Sequence, residues 1–257
     1  MVALPPGFRL FTHDSIDSTN EEARRLVEGG ERGNCVVWAK QQSAGRGRRG
    51  RQWVSEAGNV YMSMLIWPDA PLAQAAQLSF AAALAVKDTL EGLVTPDGGS
   101  PFFSLKWPND VLLSGSKVSG ILLEGASVAA GGTASADYLI IGIGINLRHH
   151  PDNTPYPATD IRAATGRDVD IEQVISDLVG HFDQLYQGWA KDGFQALRFR
   201  WLEAAWRLGE SIEVHQNDKV LHGILADLDE TGALRLRAED GNEMVIHAGD
   251  VYFPQHD

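Results

Sequence analysis

Three short stretches carry residue types that packing alone does not require. The first, GRGRRGRQW at residues 45 to 53, puts four arginines and three glycines into nine positions. Guanidinium groups are forked donors matched to phosphate oxygens, and glycines permit positive φ and close backbone approach. The second, KWPNDVLLSGSKVSGILLE (106 to 124), sets Asn109 and Asp110 in a turn after Pro108 and Lys117 just ahead of a β-run. The third, GIGIN (142 to 146), alternates glycine with isoleucine at the end of an apolar strand. Its alternation leaves one strand face bare, so a flat group can lie against it. The chemistry these residues suit is capture of an anionic, phosphate-bearing ligand, either a small molecule under a closing loop or a nucleic-acid backbone.

Each stretch also has a plainer reading. The arginines could form a solvated turn, and WPND is ordinary turn chemistry with an aromatic anchor. GIGIN lacks the spacing of a dinucleotide fingerprint, and no helix N-terminus follows it to receive a pyrophosphate. Ser18 and Thr19 read as helix caps, with Ser18 and Glu21 as a capping box. Cys35 lies in an apolar strand and reads as core.

The elements that must position these residues follow from periodicity. FRLFTH, CVVWAKQ and VYMSMLIW read as strands, and a helix from Ser18 ends at Gly29-Gly30. Pro71 opens one long Ala-rich helix, and a Pro/Gly/Ser loop follows. FFSLKW, VLLSG, VSGILLEGASV and DYLIIGIGINL read as further strands, with GGTASA (131 to 136) as a hairpin tip. From Asp170 a helical stripe runs through Val174, Leu178, Phe182 and Trp189, and a second helix runs through FQALRFRWLEAAW. After Gly209 come SIEVHQ, KVLHGILADLD, GALRLRAED and NEMVIHAGDVYF, a tail of about 50 residues that reads as a small β-barrel without a candidate for the chemistry. There is no internal repeat.

Bulk composition narrows the choice of ligand. Against 22 Lys+Arg stand 34 Asp+Glu, a formal net charge of -12, which opposes binding along a nucleic-acid duplex. The lone cysteine cannot form an internal disulfide, and no charged segment followed by an apolar run marks a signal peptide. No apolar stretch reaches the ~20 residues of a membrane span. The expectation is a soluble, cytoplasmic protein with no membrane partner.

In DSTNEE, QSAGRGRRGRQW, KWPNDVLL, KVSGILLE and IIGIGINL, taken in this order and approximate spacing, the chain resembles the biotin protein ligases over essentially its whole length. The resemblance implies an α+β fold: a mixed, largely antiparallel sheet flanked by helices, class II synthetase-like, in residues 1–207, then an SH3-like β-barrel in 208–257. It implies an ATP-dependent, AMP-forming enzyme that makes biotinyl-5′-adenylate from biotin and MgATP and transfers biotin to one lysine of a biotin carboxyl carrier domain. By resemblance, Lys117, Arg48 and Asp110 are the catalytic residues, with Asp110 serving either Mg²⁺ or the incoming lysine. Ser18, Thr19, Asn20, Gln42, Gly45, Arg46, Gly47, Arg48 and Lys117 would bind biotin. Arg46, Arg48, Arg51, Trp53, Asn109, Lys117, Gly142, Gly144 and Asn146 would bind ATP or the adenylate. No resident metal is implied beyond the Mg²⁺ of MgATP.

Some family members carry an N-terminal winged-helix repressor domain. Here the motifs begin by residue 17, so the expectation is that none is present, with no nucleic acid among the partners and a monomer or homodimer as the assembly. The final strand also lacks an arginine expected after it. A lipoate–protein ligase is the nearest alternative, and a nonenzymatic nucleic-acid-binding module using the RG-rich loop is a second. The arginine loop suggests its own device. Ordering so flexible a backbone costs entropy comparable to what a few charged hydrogen bonds return. Closure is therefore expected to wait for a ligand that brings the anionic oxygens.

Overall fold

The computed structural model describes residues 1–94, 102–130, 133–152, 154, 156–216 and 219–253. In chain order its elements are β1 (Phe8–His13), α1 (Thr19–Glu28), β2 (Asn34–Ala39), β3 (Val60–Ile66), α2 (Leu72–Ala75), α3 (Leu78–Val94), β4 (Phe103–Lys106), β5 (Asp110–Leu113), β6 (Ser116–Ala130) and β7 (Thr133–Ile145). There follow α4 (Ile161–Thr165), α5 (Ile171–Asp192), α6 (Gln195–Glu203), β8 (Ser211–Gln216), β9 (Lys219–Leu228), β10 (Leu234–Arg237), β11 (Glu243–Ile246) and β12 (Asp250–Tyr252).

Among the described residues, strands β1 to β7 form one mixed sheet in the order β1-β2-β3-β7-β6-β5-β4. Only the β1–β2 pair is parallel, because α1 provides the crossover that parallel neighbours need. The sheet is buried on both faces, and strand parity sorts its side chains. Val36, Met62, Met64, Ile66 and Ile141 pack into the large core under α3 and α5. Their neighbours Cys35, Val37, Leu65 and Ile140 pack with Ala23 of α1 on the other face. Burial on two sides explains why β3 is buried throughout and apolar apart from Ser63. It also places the lone thiol of Cys35 in the core, where burial pushes it up to about 11. Helix α3 packs against α5, α6 and the sheet, so its Ala-rich first half is buried nearly all round, while Lys87, Asp88 and Glu91 in its second half reach the surface.

The single Ala-rich helix expected from Pro71 is two helices. They part at Gln77, whose backbone makes three-residue turns at Gln74 and Phe80. The Gln77 side chain is buried, accepting from Trp189 Nε1 at 2.9 Å and donating to the Glu230 carbonyl at 3.0 Å. A polar anchor satisfied by two distant elements outweighs local helix propensity there. Helix α6 ends at Glu203, short of the expected Trp206. The expected capping box is absent: Ser18 stands at the N-cap of α1 with no side-chain cap bond, and Glu21 turns instead to Arg24 and Arg46. At α5 the expected Asp170 cap is present and accepts from Gln173 N–H at 2.9 Å. Of the expected hairpin tip at 131 to 136, residues 133–136 belong to β7, while 131 and 132, the Pro/Gly/Ser loop at 95–101 and residues 254–257 lie outside the described residues.

The tail forms a separate five-stranded antiparallel sheet in the order β11-β10-β9-β8-β12. The strand read over 242 to 253 therefore breaks in two, since β11 and β12 lie at opposite ends of that order. No helix among the described residues is long and apolar enough to cross a membrane.

Candidate active site

A cavity of about 300 Å³ opens over the β3–β7–β6 part of the large sheet, floored by Met62, Gly142, Gly144 and Gly120. The arginine loop roofs it, the turn between β4 and β5 forms one wall, and the segment around Tyr156 forms another. Ser18, Thr19, Asn20, Gln42, Arg46, Gly47, Arg48, Arg51, Trp53, Asn109, Asp110, Lys117, Gly142, Gly144 and Asn146 all line this cavity. Gly45 does not. It lies behind the wall, where a Cβ would come 2.4 Å from the Trp53 carbonyl and 2.5 Å from Ser55 Oγ.

At one end the polar groups are tied into a fixed net. Thr19 donates its N–H to Gln42 Oε1 at 2.8 Å and its hydroxyl to the same oxygen at 3.1 Å. Gln42 Nε2 donates to Ser55 Oγ at 3.0 Å. The fully buried Ser63 hydroxyl on β3 sits 2.6 Å from Asn20 Oδ1 and 2.8 Å from Thr19 Oγ1. Asn20 Nδ2 in turn donates to Glu124 Oε2 at 2.8 Å. These bonds hold amide and hydroxyl groups in set directions without side-chain freedom, which suits reading of a small polar ring.

The bare face of GIGIN is covered by the protein itself. A Cβ at Gly142 would lie 2.3 Å from Asn20 Oδ1, and one at Gly144 would lie 2.4 Å from the Trp53 ring. The flat group resting on the strand is thus the Trp53 indole, whose buried Nε1 has no hydrogen-bond partner among the described residues.

At the centre, Lys117 Nζ pairs with Asp110 Oδ1 at 2.5 Å. Lys117 is held at the start of β6 by backbone bonds on both sides, to Pro157 O at 2.8 Å and from Thr159 N at 2.9 Å. Asn109 fixes the neighbouring turn, exchanging bonds with the Ile121 backbone at 3.0 Å and 2.5 Å. Asn146 donates to the Thr159 carbonyl at 3.1 Å and so steadies the same segment from β7.

The roof departs from expectation. The loop's anions were expected from a ligand, yet the protein supplies a set of its own. Arg46 pairs with Glu21 and, at 3.4 Å, with Glu124. Arg49 reaches Asp250 Oδ2 at 3.3 Å, Arg51 bonds the same oxygen, and Arg48 stands 3.8 Å from Oδ1. Asp250 opens β12, so the tail does contribute to the cavity, contrary to the expectation that it carries no site residue. Positive φ falls at Gly50 (73°) and at Arg49 (54°), where a side chain must tolerate the left-handed region. Convergence of three guanidiniums on one carboxylate fits that bent backbone. Arg48 also donates to Asn109 Oδ1 at 3.2 Å, and burial pulls its pKa below the ordinary guanidinium value.

Asp250, Glu124, Ser63, Lys106 and Tyr156 were missed from sequence. Lys106 and Glu124 stand at the two ends of the 106–124 stretch, but no role was read for them there, and Ser63, Tyr156 and Asp250 sit in segments that read as ordinary strand or loop.

The convergence of three arginines on Asp250 should restrain the loop. Exposed ion pairs contribute about 0.2–1 kcal/mol each, and these arginines are partly exposed. Asp250→Asn, which removes the charge shared by three of them, should make trypsin cut the 46–51 segment about threefold faster or more without ligand. Equal cutting of wild type and variant would show that Asp250 does not restrain the loop.

Comparison with known proteins points the same way. The profile described as "Biotin/lipoate A/B protein ligase family" matches residues 13–146, and that described as "Biotin protein ligase C terminal domain" matches residues 208–253. A Paracoccus denitrificans protein named biotin--[acetyl-CoA-carboxylase] ligase is 42% identical over 242 residues, covering 92% of this chain and 97% of its own. The Bacillus subtilis bifunctional ligase/repressor BirA is 32% identical, over 94% of this chain and 73% of its own. Among solved structures, a biotin protein ligase from Aquifex aeolicus in complex with biotin and ATP superposes with a TM-score of 0.77 at 30% identity, covering 96% of this chain and 98% of that one.

Proposed function

The chain belongs to the biotin protein ligase family, and we propose that the cavity under its arginine loop carries both steps of that family's reaction. The enzyme activates biotin with ATP and passes it to a biotin carboxyl carrier protein. In the first step a biotin carboxylate oxygen attacks the α-phosphorus of ATP. The bond to the β-phosphate bridge breaks, giving biotinyl-5′-adenylate and pyrophosphate. In the second, the neutral amine of a carrier lysine attacks the acyl carbon and AMP departs.

The observation that carries the site assignment is the Lys117–Asp110 pair at 2.5 Å, set between the polar net of α1 and the arginine roof. Thr19, Asn20 and Gln42 present fixed donors and acceptors to the ureido ring, with Ser18 beside them. Lys117 then meets the biotin carboxylate and the α-phosphate, where negative charge gathers. Arg46, Gly47, Arg48 and Arg51 close over the adenylate, and Trp53, Gly142, Gly144, Asn109 and Asn146 frame the nucleotide. Closure would exclude water from a mixed anhydride that hydrolyses readily. Gly45 serves this site from behind by admitting the Trp53 carbonyl.

Mg²⁺ would be brought by the nucleotide. Among the described residues no group of three His, Cys, Asp or Glu side chains is placed to hold a metal, while Asp110 and Asp250 line the cavity. That sparse donor set suits a cation already wrapped by phosphate oxygens and water.

The division at 207/208 and a cytoplasmic location are part of the same proposal. So is an assembly no larger than a homodimer. Nucleic acid is left out of the partners, because the roof arginines turn inward onto Glu21, Glu124 and Asp250.

A pyrophosphate-release assay with biotin, lipoate or no acid, then labelling of a carrier domain, tests the reading. Release and labelling should require biotin. Equal turnover with lipoate would shift the assignment to the sister activity, and no release with either acid would remove it.

A further inference from the structure

Lys106 closes β4 and lines the cavity, yet it is only 6% exposed. Withdrawing an ammonium from water is costly unless an opposite charge replaces the lost hydration. Among the described residues no carboxylate forms an ion pair with Lys106. The two cavity carboxylates are otherwise engaged, Asp110 by Lys117 and Asp250 by the roof arginines. What the ammonium has instead is an aromatic face, its Nζ lying 3.1 Å from the Tyr156 ring centroid and 5.8 Å from that of Tyr252.

Residues of the tail brace that platform. The Tyr156 hydroxyl donates to the Val251 carbonyl at 2.7 Å. Its ring lies 4.6 Å from Tyr252, which lies 4.1 Å from His215. Cation–π attraction partly offsets desolvation and aims the ammonium, but it leaves the positive charge without an anion. Burial accordingly pushes Lys106 down to about 8, opposed by the fields of Asp110 and Asp250 and helped by those of Lys117 and Arg51.

Position suggests which anion is intended. Lys106 pairs across β4–β5 with Asp110, the residue that holds Lys117. It stands on the side of that centre facing the C-terminal sheet, near Arg51 and Asp250, whereas the polar net belongs to α1, β3 and the residues after β2. If Lys117 meets the α-phosphate, the ammonium next along the wall meets the phosphates beyond it in the triphosphate chain.

We propose that Lys106 is a phosphate contact for the leaving group, its ammonium receiving the β- and γ-phosphate oxygens of ATP and then the free pyrophosphate. The proposal rests on the biotin- and ATP-dependent reading of this cavity. It gives Lys106 a role in the first step alone, since the adenylate no longer carries those phosphates.

The test uses the full-length protein with Lys106→Met, inorganic pyrophosphate as product inhibitor, and biotinyl-5′-adenylate supplied directly. The KM for ATP and the inhibition constant of pyrophosphate should both rise at least tenfold, the loss expected for one hydrogen bond to a charged group. Biotin affinity, read by titration, should stay within about twofold, and transfer from supplied adenylate should change far less than ATP use. Lys106→Arg should recover much of the pyrophosphate sensitivity. If the methionine variant does not bind biotin because it misfolds, Lys106→Gln keeps the stem and a polar end and is read in the same way. Wild-type pyrophosphate inhibition in a folded variant overturns the proposal. So does slower transfer from supplied adenylate with that inhibition unchanged, which would place Lys106 at the acceptor amine. Should the wild type itself release no pyrophosphate from biotin and ATP, it is the parent reading that fails.

Discussion

Lys117→Ala should lower the rate of biotinyl-adenylate formation about 100- to 1,000-fold, the usual loss when one preorganised donor to developing charge is removed. Adenylation gathers negative charge on the α-phosphate while a carboxylate approaches it, and two anions must be brought together. The Lys117 ammonium is held 2.5 Å from Asp110, and on the proposed reading both anions would meet it there. It needs no reorganisation in the transition state, the condition under which a fixed charge is worth most. The fold should survive, because the bonds that hold residue 117 to Pro157 and Thr159 are backbone bonds that alanine keeps. Some stability will go, since Asp110 is left partly buried without its partner, at a cost of about 1–3 kcal/mol. Single-turnover formation of labelled adenylate from biotin and ATP, alongside a melting curve, separates the two effects. A folded variant that forms adenylate at the wild-type rate would falsify the assigned role.

Lys117 also shows what kind of feature could be read from the chain. Its neighbours Asn109, Asp110 and Gly120 lie within fifteen residues of it, so the motif contains most of the local geometry. The same holds for the strands, whose parity and apolar runs reflect burial on two faces of one sheet. Other features depend on elements meeting across the molecule. Asp250 heads a three-residue strand with ordinary strand composition, and nothing near it hints that three arginines some 200 positions away converge on it. Lys106 looks like one polar residue of a strand until its pocket side and the Tyr156 platform are known. The break at Gln77 runs against local propensity for the same reason, since its partners Trp189 and Glu230 are remote. Ser18 and Glu21 mark the opposite error. Their spacing satisfies a capping box, but Arg24 and Arg46 compete for the Glu21 carboxylate and charge wins over the cap.

Arg48→Gly should release the intermediate faster than it slows its synthesis. Arg48 is the roof residue that reaches the wall, bonding Asn109 at 3.2 Å while standing 3.8 Å from Asp250. Burial depresses its pKa, so its charge gains from an added anionic oxygen more than that of an exposed arginine would. A hydrogen bond to a charged group is worth about 1.5–3 kcal/mol, which as a lost contribution to closure corresponds to roughly 10- to 150-fold faster escape. Synthesis should suffer less, because Lys117 and the α1 net still align the reactants. Escaped biotinyl-adenylate is an acylating agent and will react with exposed lysines on any protein present. The variant incubated with biotin, ATP and serum albumin should therefore biotinylate the albumin, while the wild type labels little beyond its carrier. Arg48→Ala, which loses the same guanidinium without adding glycine's backbone freedom, should leak nearly as much if charge rather than flexibility controls closure. Unlabelled albumin alongside normal adenylate synthesis would mean that the roof is held by its other arginines, and that Arg48 is a spectator to retention.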